Sequence, residues 1–234
     1  MGNILEIADL FVRHHDGTEA IRGLSMNLSA NQKTAIIGPN GAGKTSLLLA
    51  IMHAVHFTGS IKVDGIELSG KTAAPVRSRC GMTFQDPDDQ LFMPTLLDDV
   101  AFGPLNQGLQ AELARTRSME AIADVGLAGL EGKSAHHLSF GQKRSASLAT
   151  IFSMQTKLLL LDEPGASLDF RSRIRLIEML LTRPEAMLMA THDMDIVRRL
   201  CTHVIVLDLG RIVASDTADI ILSDTRLLSS HGLA

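Results

Sequence analysis

The eight residues Gly38-Pro39-Asn40-Gly41-Ala42-Gly43-Lys44-Thr45 constrain this chain more than any other stretch. An apolar run, 34–37, precedes them and a helical pattern, 46–53, follows, so the local order is strand, glycine-rich loop, helix. Glycines let successive backbone N–H groups turn inward around phosphate oxygens, and a helix start adds positive potential. The Lys44 ammonium can reach the β- and γ-phosphates of a nucleotide, and the Thr45 hydroxyl can ligate Mg2+. In a chain of 234 residues, the pattern GxxxxGK[ST] arises by chance on the order of 1% of the time.

From residue 34 onward, short apolar runs alternate with helical stretches, the pattern of a parallel sheet buried on both faces. Four runs end alike. Residues 34–37 lead into Gly38, 80–84 into Gln85, 158–161 into Asp162-Glu163, and 187–190 into Thr191-His192. Open α/β sheets bind ligands at the carboxyl ends of their strands, so these four exits are expected to share one crevice. The first thirty residues read instead as short strands and turns, with Asp16-Gly17 as a hairpin tip. Residues 112–125 and 142–155 are helical with no strand-like run between them, which predicts a helical subdomain inserted into the sheet domain.

Composition narrows the function classes. Asp and Glu number 26 against 22 Lys and Arg, a net charge of −4 that argues against general nucleic-acid binding. No run of 18 apolar residues exists to cross a membrane, and no basic-flanked apolar leader at the N-terminus directs export. Cys80 and Cys201 form no CxxC motif and read as small buried hydrophobes of a reducing compartment. None of the nine histidines, the pairs His14-His15 and His136-His137 included, has structural-metal spacing.

Asp162 and Glu163 divide the work that phosphoryl transfer requires. Asp162 would hold Mg2+, directly or through water, while Glu163 polarises the attacking water. A solvated acidic pair at a strand end is the bland alternative. His192 could hydrogen-bond the γ-phosphate or the water, or else cap the helix starting near Asp193. Gln85 could sense the metal and water, although a glutamine after a strand says little by itself.

Leu138-Ser139-Phe140-Gly141-Gln142, about twenty residues before the strand of Asp162, resembles the LSGGQ signature of ABC ATPases. With the phosphate loop, Gln85, Asp162-Glu163, His192, and Ser167-Leu168-Asp169, similar to the family's D-loop, the ordered set spans roughly residues 4–221. The resemblance implies a P-loop NTPase: an α/β domain with a RecA-like, mostly parallel sheet core, an N-terminal antiparallel β subdomain and an inserted helical subdomain. Residues 1–93 and 157–221 would form the sheet core with its β subdomain, 94–156 the helical part, and 222–234 a short tail. It also implies that two subunits, alike or different, sandwich two MgATP. Residues 38–45, Ser46 and His14 of one subunit would bind the nucleotide, and Ser139, Gly141, Gln142 and Asp169 would reach it from the other. A serine-led helix start suits that anion-binding role, while Asp169 can also be read as a helix N-cap. Mg2+ would be held by Thr45, Gln85 and Asp162, with Glu163, His192, Gln85 and Lys44 serving hydrolysis.

Two residues depart from the family pattern. His14 stands where an aromatic usually stacks on adenine, which would relax base selectivity. Phe140 stands where the signature has glycine; a positive φ there would carry strain of about 1–3 kcal/mol.

The loop Phe84-Gln85-Asp86-Pro87-Asp88-Asp89-Gln90-Leu91-Phe92, the LSFGQ variant and the tail 226–233 are similar to energy-coupling-factor ATPases of cobalt and nickel uptake. That resemblance implies a peripheral subunit on the cytoplasmic face of the membrane. A transmembrane coupling component would dock near Gln85, Asp88 and Asp89, and a separate membrane component would bind the substrate. The alternatives are an ATPase of another ABC importer, for a vitamin, amino acid or peptide, an ABC protein acting on ribosomes or DNA, and a module that binds ATP without hydrolysing it. Glu163 argues against the last.

Overall fold

Alternating burial governs the N-terminal strands. In the computed structural model, which describes residues 2–233, β1 (Asn3–Arg13) and β2 (Glu19–Ser29) pair antiparallel, with Leu10 opposite Leu24 and Ile7 opposite Met26. Leu5, Ile7, Leu10, Leu24, Met26 and Leu28 are buried while Glu6, Asp9, Ser25 and Asn27 are exposed, the pattern of a sheet solvated on one side. The hairpin closes over residues 14–18, where the His14 amide donates to the Thr18 carbonyl at 2.9 Å and Gly17 supplies a φ of 87°. After β3 (Lys33–Ile37) and α1 (Lys44–Ile51), the chain returns as β4 (Phe57–Val63) and β5 (Ile66–Glu67), completing a sheet of order β2-β1-β4-β5.

The second sheet has different chemistry. A short α2 (Ala73–Arg77) leads to β6 (Cys80–Thr83), which carries the chain out of its first compact unit. That unit comprises residues 1–80, 157–163 and 184–234; the second comprises 81–156 and 164–183. In the second unit lie α3 (Leu96–Asn106), α4 (Ala111–Asp124), α5 (Phe140–Phe152) and, after β7 (Leu158–Asp162), α6 (Phe170–Leu181). The first unit then resumes with β8 (Ala186–Ala190), α7 (Met194–Leu200), β9 (His203–Asp208), β10 (Arg211–Thr217), α8 (Ala218–Ser223) and α9 (Thr225–Ser230).

Strands β7 and β8 are buried at every position, and β3 at all but Lys33, as parallel strands covered on both faces must be. Their order within the first unit is β10-β9-β3-β8-β7, with β9, β3, β8 and β7 parallel and β10 antiparallel at the edge. The register sets the site. Ile36 lies opposite Ala190, and Ala190 opposite Asp162, so Gly38, Glu163 and Thr191-His192 emerge side by side.

In the second unit, α3 packs closely on the segment that follows α5 because Gly103 lacks a side chain: a Cβ there would stand 2.6 Å from Met154 Cγ. Thr95 caps α3, its hydroxyl accepting from the Asp98 amide. The architecture is mixed α/β, with an antiparallel N-terminal sheet, a mostly parallel sheet and a set of helices. Among the described residues, no helix is long and apolar enough to cross a membrane.

Candidate functional site

At the end of β3 the chain can turn only because glycines stand at its tightest points. A Cβ on Gly38 would lie 2.0 Å from the Leu207 carbonyl oxygen, and one on Gly43, at φ 105°, 2.3 Å from that of Ala20. Gly41, at φ 78°, has open space around it, leaving the loop backbone accessible. Asn40 and Thr45 are exposed, Pro39 is half-buried and Ala42 is buried. No side chain caps α1, so its first-turn amides are directed at whatever lies before the helix, the arrangement that attracts phosphate.

Lys44 extends back along this loop. Its Nζ donates to the Gly38 carbonyl at 2.7 Å and the Pro39 carbonyl at 3.1 Å. Burial pulls its ammonium below the usual lysine range, while the Glu163 and Asp162 carboxylates pull the other way. One cation beside two buried acids fits an anionic triphosphate carrying a divalent ion. Ser46 is buried in α1, and its hydroxyl lies 2.9 Å from His14 Nε2. The hairpin and the first turn of α1 therefore meet.

Asp162 ends β7 and Glu163 follows it, both buried. The Glu163 amide donates to the Ala190 carbonyl at 2.8 Å, and its φ of 46° is left-handed, a conformation non-glycine residues adopt at a cost. Its side chain is gripped from three directions. The Thr191 hydroxyl donates to Oε2 at 3.1 Å, the His192 amide approaches the same oxygen at 3.4 Å, and His192 Nδ1 lies 2.9 Å from Oε1. Asp193, not His192, caps α7 by accepting from the Asp195 and Ile196 amides, so the capping alternative for His192 is overturned. Thr191, placed by the sequence at a strand exit without a role of its own, holds the Glu163 carboxylate through its hydroxyl. Its one available signal was a hydroxyl at a strand exit.

The remaining candidates sit in the second unit. Ser139 caps α5 in a reciprocal box: its hydroxyl accepts from the Gln142 amide at 3.3 Å, while Gln142 Oε1 accepts from the Ser139 amide at 2.9 Å. The Gln142 side chain is thus turned back on the helix start. Phe140 opens the helix and is not among the residues with positive φ, so the strain that a positive φ would carry there is absent; Glu163 and Ser167 hold left-handed backbone instead. Asp169 is the N-cap of α6, accepting from the Ser172 amide at 2.8 Å, and that bond holds its carboxyl below the usual range. The α5 and α6 starts approach each other, since a Cβ on Gly141 would stand 3.3 Å from Ser172 Oγ. A cavity of about 860 Å3 opens beside them, lined by Ser139, Gly141, Ser145, Ser172 and Arg175 among others.

Gln85 is exposed on a loop laced to α5. Arg144, itself buried, donates to the Phe84 carbonyl at 2.9 Å and to the Gln85 carbonyl at 2.7 Å. Its guanidinium carbon lies 5.7 Å from the centre of the Phe140 ring. Lys143 binds Asp88 at 2.6 Å, and Gln90 Nε2 donates to the Ser147 carbonyl and the Thr150 hydroxyl. Asp89 is exposed on the same loop. Nothing in the local sequence around Arg144 signalled these bonds.

Comparison with known proteins places this geometry. Residues 21–166 match the family model described as ABC transporter. A Gloeobacter violaceus protein named as an ABC transporter ATP-binding protein is 42% identical over 98% of this chain and 95% of its own length. The energy-coupling factor transporter ATP-binding protein EcfA of Methanosphaera stadtmanae is 38% identical over 100% of this chain and 86% of its own. Among solved structures, cbiO1 from Clostridium perfringens, part of the ABC transporter complex cbiONQ, superposes with a TM-score of 0.85 at 32% identity, covering 100% of this chain and 96% of that one. The strand-exit acids, the glycine loop and the serine-capped helix thus occur together in a chain that belongs to the ABC transporter family, as an ATP-binding subunit that hydrolyses ATP.

Proposed function

We propose that this chain energises an importer of the energy-coupling-factor type that takes up a divalent cation such as cobalt or nickel, working as a peripheral ATPase on the cytoplasmic face of the membrane. The observation that carries the reading is likeness over the full chain to EcfA and to cbiO1. The sequence of the loop 84–92 points the same way.

In this reading the triphosphate of ATP enters loop 38–45, and Lys44 exchanges its loop carbonyls for β- and γ-phosphate oxygens. Thr45, Asp162 and Gln85 would hold Mg2+, which neutralises charge on those phosphates. Glu163 orients the attacking water and accepts its proton, while His192, steadied by the same carboxylate, faces the γ-phosphate. Little covalent chemistry is asked of the protein; positioning and electrostatics do the work. His14 packs against the base.

A second subunit completes the site. Its Ser139, Gly141 and Gln142, at the start of α5, would meet the γ-phosphate held by the first, since the positive end of a helix attracts such a charge. Asp169 would help to order the pair. ATP then favours the closed dimer and hydrolysis reopens it. A transmembrane coupling component docks near Gln85, Asp88 and Asp89. Asp88 is paired with Lys143 inside the unit, so Asp89 is the stronger counter-charge for a basic helix. The exposed Phe92 and Phe102, edge to face at 5.2 Å, supply an apolar anchor beside it.

The test is purification of the chain with its membrane partners in mild detergent, reconstitution into liposomes, and measurement of ATP-driven uptake of radioactive cobalt or nickel. Uptake that requires Glu163 is the expected result. A partner complex that carries a vitamin, with no metal uptake, overturns the cargo assignment.

A further inference from the structure

The turn joining β9 to β10 is both strained and tightly held. Leu209 adopts φ 45°, a left-handed conformation that branched side chains avoid, and its side chain is 71% exposed, so apolar burial does not compensate. Gly210 follows at φ 76°. What this backbone does is grip the phosphate loop. The Gly210 amide donates to the Ala42 carbonyl at 3.0 Å, and the Gly210 carbonyl accepts from the Arg22 amide at 2.9 Å. Close approach reinforces both bonds: a Cβ on Gly210 would stand 2.7 Å from the Ala20 carbonyl oxygen, and Gly38 lies directly under the Leu207 carbonyl. One wall of the loop is therefore residues 207–210, and another is residues 20–22 of β2.

The end of the chain holds this turn in its own right. His231, just past α9, places Nδ1 2.7 Å from Asp208 Oδ2, and both side chains are mostly buried. Helix α9 is anchored by Asp224, which accepts from the Leu227 amide at 2.9 Å, and by the buried Leu228. Neither His231 nor Asp208 has a place in the phosphate chemistry described above.

We propose that Asp208 and His231 are a positioning pair for the nucleotide: they fix the Leu209-Gly210 turn, the turn fixes loop 38–43, and the C-terminal helix thereby sets affinity for the triphosphate. Backbone amides bind phosphate well only when already ordered, because any freedom left in the loop is lost on binding. Releasing the turn should therefore weaken binding while leaving Asp162, Glu163 and His192 untouched. The inference rests on reading residues 38–45 as the nucleotide site.

Its test uses the full chain, with MgATP affinity by calorimetry and steady-state ATPase rates. His231→Ala and Asp208→Ala are expected to raise Kd and KM for ATP by about tenfold. The kcat at saturating ATP should stay within about twofold of the parent. His231→Asn, whose side-chain amide can still donate to Asp208, should restore affinity. If His231→Ala does not fold, His231→Phe fills the space without a donor and should behave in the same way. A fall in kcat and in thermal midpoint with unchanged KM would mean a merely structural contact and overturns the proposal. Lys44→Ala separates the two readings. Loss of ATP binding there, with unchanged affinity in the His231 variants, sinks only this inference, whereas retained binding in Lys44→Ala sinks the nucleotide-site reading as well.

Discussion

His192 Nδ1 and Glu163 Oε1 stand 2.9 Å apart, and the glutamate that makes this contact holds a left-handed backbone at φ 46°. A non-glycine residue in that region costs about 1–3 kcal/mol, so the surrounding structure must over-determine it. The Glu163 amide bond to Ala190 and the Thr191 hydroxyl on Oε2 are the visible restraints. Together they hold the carboxylate where it meets the imidazole at the mouth of the sheet.

Replacing Glu163 with Gln keeps the shape and removes the proton acceptor. Turnover should fall by about 10²–10⁴-fold, the range for loss of a general base. ATP should stay bound, and size-exclusion chromatography with ATP should show a dimer. Unchanged turnover in this variant would refute the role given to Glu163.

Thr191→Val removes the hydroxyl that donates to Glu163 and accepts from the Asp193 amide, at nearly constant volume. The expected effect is a kcat lower by about tenfold with KM for ATP little changed, because the residue acts through the glutamate and not on the phosphates. A rise in KM without loss of kcat would contradict that assignment.

Phe140→Gly restores the residue usual in the family's signature, yet no positive φ exists there to relieve. Glycine in the first helical turn adds backbone entropy, and the ring contact with Arg144 is lost. Urea unfolding should show a loss of about 1 kcal/mol. A gain in stability would show that the phenylalanine is strained after all.

His14→Tyr enlarges the stacking surface and removes the imidazole bonded to Ser46. The ratio of kcat/KM for ATP over GTP should increase severalfold, by roughly the 0.5–1.5 kcal/mol that aromatic pairing contributes. Equal ratios in both proteins would detach residue 14 from the base.

The thiols give a prediction on pH. Burial pushes Cys80 and Cys201 up to about 12. A raised folded-state value means both thiols stay neutral at pH 8, and their stabilising share is lost only as pH climbs from the ordinary cysteine range toward 12. Alkylation by iodoacetamide at pH 8 should be negligible in the native protein and complete in denaturant. Rapid native labelling of either cysteine would contradict its burial.

Much of the site was legible because its chemistry is local. Residues 38–45 need only their own glycines, lysine and threonine to define a phosphate loop. Asp162-Glu163 are marked by the all-leucine run before them, and Ser139 by the helical pattern that begins just after it. The hairpin at 14–18 and helices α4 and α5 follow from turn residues and periodicity in the same way. The strand at 203–208 went unread beside stronger motifs, and with it the turn that grips the phosphate loop.

What the chain's order of residues determined by itself is the inventory: which groups can bind phosphate, hold a divalent ion or accept a proton, and on which kind of element each sits. Tertiary structure decided the partnerships. It set β3 between β8 and β9, laid Gly210 against Ala42, joined His231 to Asp208, and ran Arg144 to carbonyls 59 and 60 residues away. The reason is physical. Propensity and capping act over a few neighbouring residues, whereas these contacts depend on strand order and close packing, which arise only when distant segments bury their apolar faces together.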